Sequence, residues 1–247
     1  MKIAEGIEML EIEGNMMGNR MVINPTLLYD GQHAVLVDTG MPGQLELIQA
    51  AMAKAGVPFE RIDGVILTHQ DIDHIGGIQD VINAVGKPID VYAHAEDQPY
   101  IEGEKEPIKM TRERVTQMLS RFPEDIRPQM EKVFRNLPTA KVTKVVADGE
   151  VLPIFGGVEV IFTPGHTPGH ISLYHRPSKT LIAGDATVSQ DGKILGPNPQ
   201  VTPNMEQALK SQSKFTRFDV ANLICYHGGF CDHEVNEQFR KLSEDNQ

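Results

Sequence analysis

The chain has 247 residues, a formal net charge of -11, a pI near 5.3 and a hydrophobic content of 40%. That length serves one large domain or two small ones, and an acidic balance with no Lys/Arg run argues against a role built on nucleic-acid phosphates. No stretch nears the roughly 18 apolar residues of a membrane span, and two cysteines, Cys225 and Cys231, leave no disulfide framework.

The opening MKIAEGIEMLEIEGNMM is acidic where an export signal is basic and then apolar, so the expected location is the cytoplasm. MVINPTLLY (21–29) and HAVLVDTG (33–40) are apolar and β-branched and flank the turn signal Asp30-Gly31, which predicts a hairpin. QLELIQAAMAKAG (44–56) has helical spacing and ends at a glycine cap. VILT in RIDGVILTH reads as a short strand buried on both faces. IGGIQDVINAVG reads as the next helix and PIDVYAH as another strand. Residues 96–136 are charged and helical in pieces that break at Pro107, Pro123 and Pro128. They read as an insertion over a compact core: a solvated decoration, a substrate cap or a homodimer surface. Strands return in KVTKVVADGEVLPIFGGVEVIFTPG, HISLYHR and TLIAGD; 204–218 reads as a helix, VANLICYHGG as a final strand, and the tail from His233 as a last helix.

Metal-binding side chains recur where apolar strands end. VILT runs into His69-Gln70-Asp71-Ile72-Asp73-His74, VEVIFTPG into His166, TLIAG into Asp185 and NLICY into His227. A rigid strand fixes such a loop while its side chains reach a cleft. A lone histidine at a strand end is usually structural, but seven candidate ligands in this succession point to a site. Four imidazoles and three carboxylates suit a pair of divalent first-row metals better than magnesium or calcium alone.

H-x-D-x-D-H, then TPGHTPGH, AGD and YHGG in this order closely resembles the metallo-β-lactamase superfamily, from Leu36-Val37-Asp38-Thr39-Gly40 to Gly229. The resemblance implies an α/β fold, an αββα sandwich with the metal site at one edge of its two sheets, as a single domain over 1–247 with the insertion at about 96–136. By motif position, it implies that His69, Asp71 and His166 hold a first ion. Asp73, His74 and His227 would hold a second, with Asp185 between them. It makes Asp38 a residue behind the ligands that orients the cluster loop, against the plainer reading of a hairpin turn residue. His170 is expected to support His166.

Asp71 stands where most hydrolases of the superfamily carry a histidine. Two divalent ions bring four positive charges, and Asp71, Asp73 and Asp185 cancel three. A less positive centre is a weaker Lewis acid, and an oxygen donor moves preference from zinc toward manganese or iron. The oxygen donor is also similar to the flavodiiron branch, which places a glutamate there. His94, His33, His175 and His233 read as structural or surface histidines, and Cys225 as a buried structural thiol.

The expected cofactor is therefore two divalent metal ions, with zinc the commonest in the family. The expected reaction is hydrolysis of an ester, lactone or thioester in a small-molecule substrate, with Asp73 holding its ion and accepting a hydrogen bond from the attacking water. Nucleic acid and membrane are not expected partners. Acyl-homoserine lactonases share the PGHTPGH motif, but they carry a tyrosine three residues past the bridging aspartate, where this chain has Val188. A glyoxalase-II-type thioesterase lacks support from any C-terminal basic cluster. Two other classes stay open: an iron redox enzyme, diiron or mononuclear, and a binding protein that has kept the fold without catalysis.

Overall fold

In a computed structural model of the chain, residues 1–16 and 19–245 are described. Two sheets dominate. The first has seven strands in spatial order Lys2–Ala4, Ile7–Met9, Thr26–Tyr29, Ala34–Val37, Ile62–Ile66, Asp90–His94 and Lys144–Val146. Its N-terminal strands pair antiparallel, and from Ala34–Val37 onward every pairing is parallel. The second has six, in order Val151–Leu152, Val158–Phe162, Ile171–His175, Thr180–Ile182, Asn222–Cys225 and Gly229–Cys231. One parallel pairing interrupts it, between Thr180–Ile182 and Asn222–Cys225.

Alternation along each strand decides which layer each side chain joins, because successive residues face opposite sides of a sheet. Leu28, Val35, Val37 and Ile66 meet Val160, Leu173, Ile182 and Ile224 in the core between the sheets. Leu27, Leu36 and Val65 point the other way, onto the helices Leu45–Lys54 and Ile78–Val85 through Ile48, Met52, Ile78 and Val81. On the far side Ile161, Leu181, Leu223 and Cys225 pack under Phe215 and Phe239, next to the helices Met205–Ser213 and Val235–Asp245. The layers run helix, sheet, sheet, helix, and the αββα expectation holds.

Several elements differ from their sequence reading. MVINPTLLY is two strands: Asn19–Ile23 pairs with Ile12–Met16 as a separate hairpin, and only Thr26–Tyr29 pairs with Ala34–Val37. Pro25 has no N–H to give a ladder and so marks the break. VANLICYHGG is likewise two strands, Asn222–Cys225 turning back into Gly229–Cys231. Pro128 does not break a helix; it lies in the first turn of Arg127–Arg135, where no intrahelical N–H is needed. Met17, Gly18 and the last two residues of the expected tail helix lie outside the described residues.

The segment 96–136 forms the helices Gln98–Ile101, Arg112–Leu119 and Arg127–Arg135. Val115, Leu119, Phe122 and Phe134 make a small core of their own, and Ile72 and Met110 pack against it. Ile72 belongs to the HQDIDH cluster, so this small core abuts the loops described next.

Candidate metal centre

Six loops converge at one edge of the two sheets. From the first sheet, the parallel strands Ala34–Val37, Ile62–Ile66 and Asp90–His94 run directly into Asp38, the 68–74 cluster and Asp97. From the second, Val158–Phe162, Thr180–Ile182 and Asn222–Cys225 lead to His166, Asp185 and His227. Gly165 and Gly184 make two of these loops possible. Gly165 has φ +131°, and a Cβ there would lie 2.3 Å from the Ala208 nitrogen; one on Gly184 would lie 2.7 Å from His170 Nε2.

All seven sequence-predicted ligands come together. Three groups, His69–Asp71–His166, His69–His74–Asp185 and Asp73–His74–His227, each bring their ligand atoms within 4.8 Å of one another. Asp71 Oδ2 lies 3.3 Å from His69 Nε2 and 3.1 Å from His166 Nε2. Asp185 spans the groups, with Oδ1 3.3 Å from His74 Nε2 and Oδ2 3.2 Å from His166 Nε2 and 3.5 Å from His227 Nε2. Asp73 Oδ2 is 3.2 Å from His227 Nε2. Donors around a tetrahedral ion at ordinary zinc distances stand about 3.3 Å apart, so the spacing fits.

The residues behind these aim their lone pairs inward. Asp38 has φ +61°; its Oδ1 accepts the Thr68 N–H at 2.8 Å, and its Oδ2 accepts the Thr68 hydroxyl at 2.7 Å and His74 Nδ1–H at 2.8 Å. Thr68 Oγ1, having donated to Asp38, accepts from His69 Nδ1–H at 3.0 Å. Both imidazoles therefore turn Nε2 to the centre. His74 also stacks on Tyr226 at 3.8 Å, and the Tyr226 hydroxyl donates to the Asp73 carbonyl. His170 Nε2 accepts the Asp185 N–H at 2.9 Å while its Nδ1–H donates to Thr163 Oγ1 at 2.8 Å. It thus sets the Asp185 backbone; it is His166 Nδ1 and Thr202 Oγ1 that meet, at 3.2 Å.

Sequence reasoning missed Asp97. This fully buried carboxylate accepts from the Gln70 N–H at 3.0 Å, the Thr167 hydroxyl at 2.7 Å and the Gly169 N–H at 2.8 Å. It ties the loop bearing His69 to the loop bearing His166. The available signal was its place just past PIDVYAH, equivalent to the places of Asp38 and His69 past their strands.

The electrostatics call for a cation. Burial raises the Asp71 and Asp185 carboxyls, but the surrounding imidazoles outweigh it and hold both well below the usual range. Burial opposes charge on His74 and His227, yet Asp38, Asp185 and Asp73 raise His74 well above its ordinary value, and Asp185 and Asp73 bring His227 to about 10. Burial and the neighbouring imidazoles lower His69 and His170. Meanwhile His69 Nε2, His74 Nε2 and Asp185 Oδ1 are buried without a hydrogen-bond partner among the described residues. Buried polar atoms are rarely left so, and a divalent ion would satisfy both the orphan atoms and the charge.

A cavity of about 360 Å³ opens over the centre, walled by Ile72, Met110, Val188 and Val201 beside Asp71, Asp73, His166, Asp185 and His227. Lys109, from the segment 96–136, also lines it; its Nζ lies 2.5 Å from Asp71 Oδ2 and 2.6 Å from His166 Nε2. No sequence signal singled out Lys109. Val188 stands on the wall as its position implied, and no tyrosine is among the lining residues. The other histidines lie elsewhere: His94 stacks on Phe162, His33 pairs with Asp63, His175 bonds Ser178, and His233 is exposed beside Glu234. Cys225 belongs to the outer core, where burial pushes its thiol up.

Comparison with known proteins agrees with this architecture. Residues 18–227 match the family model of the metallo-beta-lactamase superfamily. The probable metallo-hydrolase YflN of Bacillus subtilis is 30% identical over 206 residues, which cover 78% of this chain and 75% of that protein. A hydroxyacylglutathione hydrolase of Yersinia pestis is 28% identical over 82% of this chain, which spans 58% of its length. Among solved structures, a metallo-beta-lactamase family protein of Thermus thermophilus superposes with a TM-score of 0.73 at 21% identity, covering 100% of this chain and 81% of that one.

Proposed function

The chain belongs to the metallo-beta-lactamase superfamily, and from that premise we propose that it is a binuclear metal-dependent hydrolase of an ester, lactone or thioester. The observation that carries this reading is the convergence of seven ligand side chains with three buried, unpartnered donor atoms turned to one centre. His69, Asp71 and His166 would hold one ion and Asp73, His74 and His227 the other, with Asp185 within reach of both groups. Divalent ions there supply Lewis acidity, which activates water and polarises a carbonyl at neutral pH.

The protein's own groups do the rest. Asp38, Thr68 and His170 hold ligand lone pairs and the Asp185 backbone in place before substrate arrives, and such preorganisation is where the protein contributes most to rate. Asp73 and His227 are the more open ligands, their side chains 22% and 31% exposed. That exposure supports giving Asp73 the further role of accepting a hydrogen bond from the attacking water. Ile72, Met110, Val188 and Val201 give an acyl arm an apolar wall, in a volume within the range of small-molecule sites. The hydroxyacylglutathione hydrolase likeness supports including thioesters. Val188 in place of a phenol weighs against lactonase selectivity.

The test is metal content by elemental analysis of unsupplemented protein, followed by turnover on a phenyl ester, an acyl-homoserine lactone and an acyl thioester. Two zinc or manganese ions per chain and turnover of one class are expected. Asp185→Ala should lower that turnover by about a thousandfold or more, since it removes a group shared by both ions. Full turnover in Asp185→Ala would sink the ligand assignment, and two irons with an oxo-bridged absorption band would move the reading to redox chemistry.

A further inference from the structure

Lys109 makes contacts that an ion at the first position would also claim. Its Nζ lies 2.5 Å from Asp71 Oδ2 and 2.6 Å from His166 Nε2, and its side chain is 15% exposed. An unprotonated imidazole nitrogen has a single lone pair. His166 Nε2 lies within hydrogen-bonding reach of both Lys109 Nζ and Asp71 Oδ2, and its Nδ1 faces Thr202 Oγ1 at 3.2 Å; in the tautomer that ligation needs, with the proton on Nδ1, Nε2 accepts from Lys109. The nitrogen is therefore correctly prepared for an ion but already engaged. Asp71 completes the arrangement, because a carboxylate pairs with an ammonium where a histidine would not.

We propose that Lys109 is a tethered competitor for the ion at the His69–Asp71–His166 position, so that loading this position detaches the insertion from the centre. The proposal rests on the metal reading of the site. One ion, at Asp73–His74–His227, binds without displacing Lys109; the other must break the Lys109–His166 bond. A second tie lies beside it: the Ile108 N–H donates to Gln70 Oε1 at 3.1 Å, inside the HQDIDH cluster. Release of Lys109 frees one of the anchors that hold residues 103–111 over the site, leaving the Ile108–Gln70 bond and the packing of Met110. It also leaves an ammonium on the wall of the substrate cavity. Asp71 is thereby explained as the docking partner of the insertion as well as a ligand.

Zinc titration by calorimetry of the metal-stripped full chain tests this, comparing wild type with Lys109→Met and Lys109→Arg. Two binding steps are expected in each. The weaker step should tighten about tenfold or more in Lys109→Met, since a charge-assisted hydrogen bond no longer opposes it, and should stay near the wild-type value in Lys109→Arg. Hydrogen exchange across 103–111 should rise on zinc addition in wild type and be already fast in Lys109→Met. Equal zinc affinities in wild type and Lys109→Met would overturn the lysine proposal while leaving the metal reading intact. Failure of every form to bind zinc would overturn both. Should Lys109→Met not fold, exchange in wild type decides: no change across 103–111 on zinc addition overturns the proposal.

Discussion

At the scale of single residues, the centre depends on side chains whose alternatives are easy to state. Asp71 supplies an oxygen where a histidine would supply a nitrogen, and it carries one negative charge more. Asp71→His is expected to shift preference toward zinc over manganese in competition dialysis and to remove the charged partner of Lys109, leaving His166. If Lys109 pairs through Asp71, then Lys109→Met added to Asp71→His should change zinc affinity by less than it does alone, a coupling that a double-mutant cycle reads directly. Unaltered metal preference in Asp71→His would show that the charge of this ligand does not set selectivity. Asp38 acts one layer further out, where it fixes the tautomer of His74 and the hydroxyl of Thr68. Asp38→Ala should weaken metal binding by about 10- to 100-fold, the usual effect of losing such a partner. Affinity unchanged within a factor of two would mean that packing alone orients His74.

At the scale of elements, function rests on how two loops from different sheets are joined. Asp97 bonds Gln70 on one and Thr167 and Gly169 on the other. Asp97→Ala strands those buried donors, at a cost of about 3 kcal/mol or more. Urea unfolding should show that loss, and metal affinity should fall with it as the loops separate; a stability loss below about 1 kcal/mol would mean that water replaces the carboxylate. The seven residues that converge were legible from sequence because each lies in a loop that follows an apolar strand, and a strand end is a fixed point in a sheet. Asp97 follows a strand too, but it opens a charged segment and so resembled surface. Other misses have similar causes. Asp191-Gly192, with φ +51° and +75°, turns the hairpin Val188–Gln190 and Lys193–Leu195, a two-residue turn signal between strands too short to show alternation. Pro25 divides one apolar run into strands of two different sheets, and only the tertiary pairing reveals where each half goes. Lys109 could not be read at all, since nothing local marks a lysine that reaches back 38 residues in sequence to Asp71.

At the scale of the whole molecule, the centre joins the two halves of the sandwich. His69, Asp71, Asp73 and His74 come from loops of the first sheet, and His166, Asp185 and His227 from loops of the second. An ion bound across this edge stabilises the folded chain by mass action, about 2.7 kcal/mol for one site at 100 times its Kd. For a chain of this size that is about 5–10 °C in Tm, so chelation should lower Tm by at least this amount. The metal-stripped protein should also respond to pH in a way the loaded protein does not. Asp185 and Asp73 hold His227 at about 10, above its ordinary 6.5, and His74 moves in the same direction. A raised histidine pKa adds stability that is fully present below the unfolded value and is lost as pH rises through the folded one. The Tm of stripped protein should therefore fall steadily between about pH 6.5 and pH 10, as the three carboxylates lose their protonated partners. Zinc-loaded protein, whose imidazoles ligate in the neutral form, should lose little over the same range. Thermal melts at both ends of that window, with and without chelator, separate the two cases. Parallel pH profiles for loaded and stripped protein would show that the histidines gain no charge from the carboxylates, and that the centre does not hold the two sheets together.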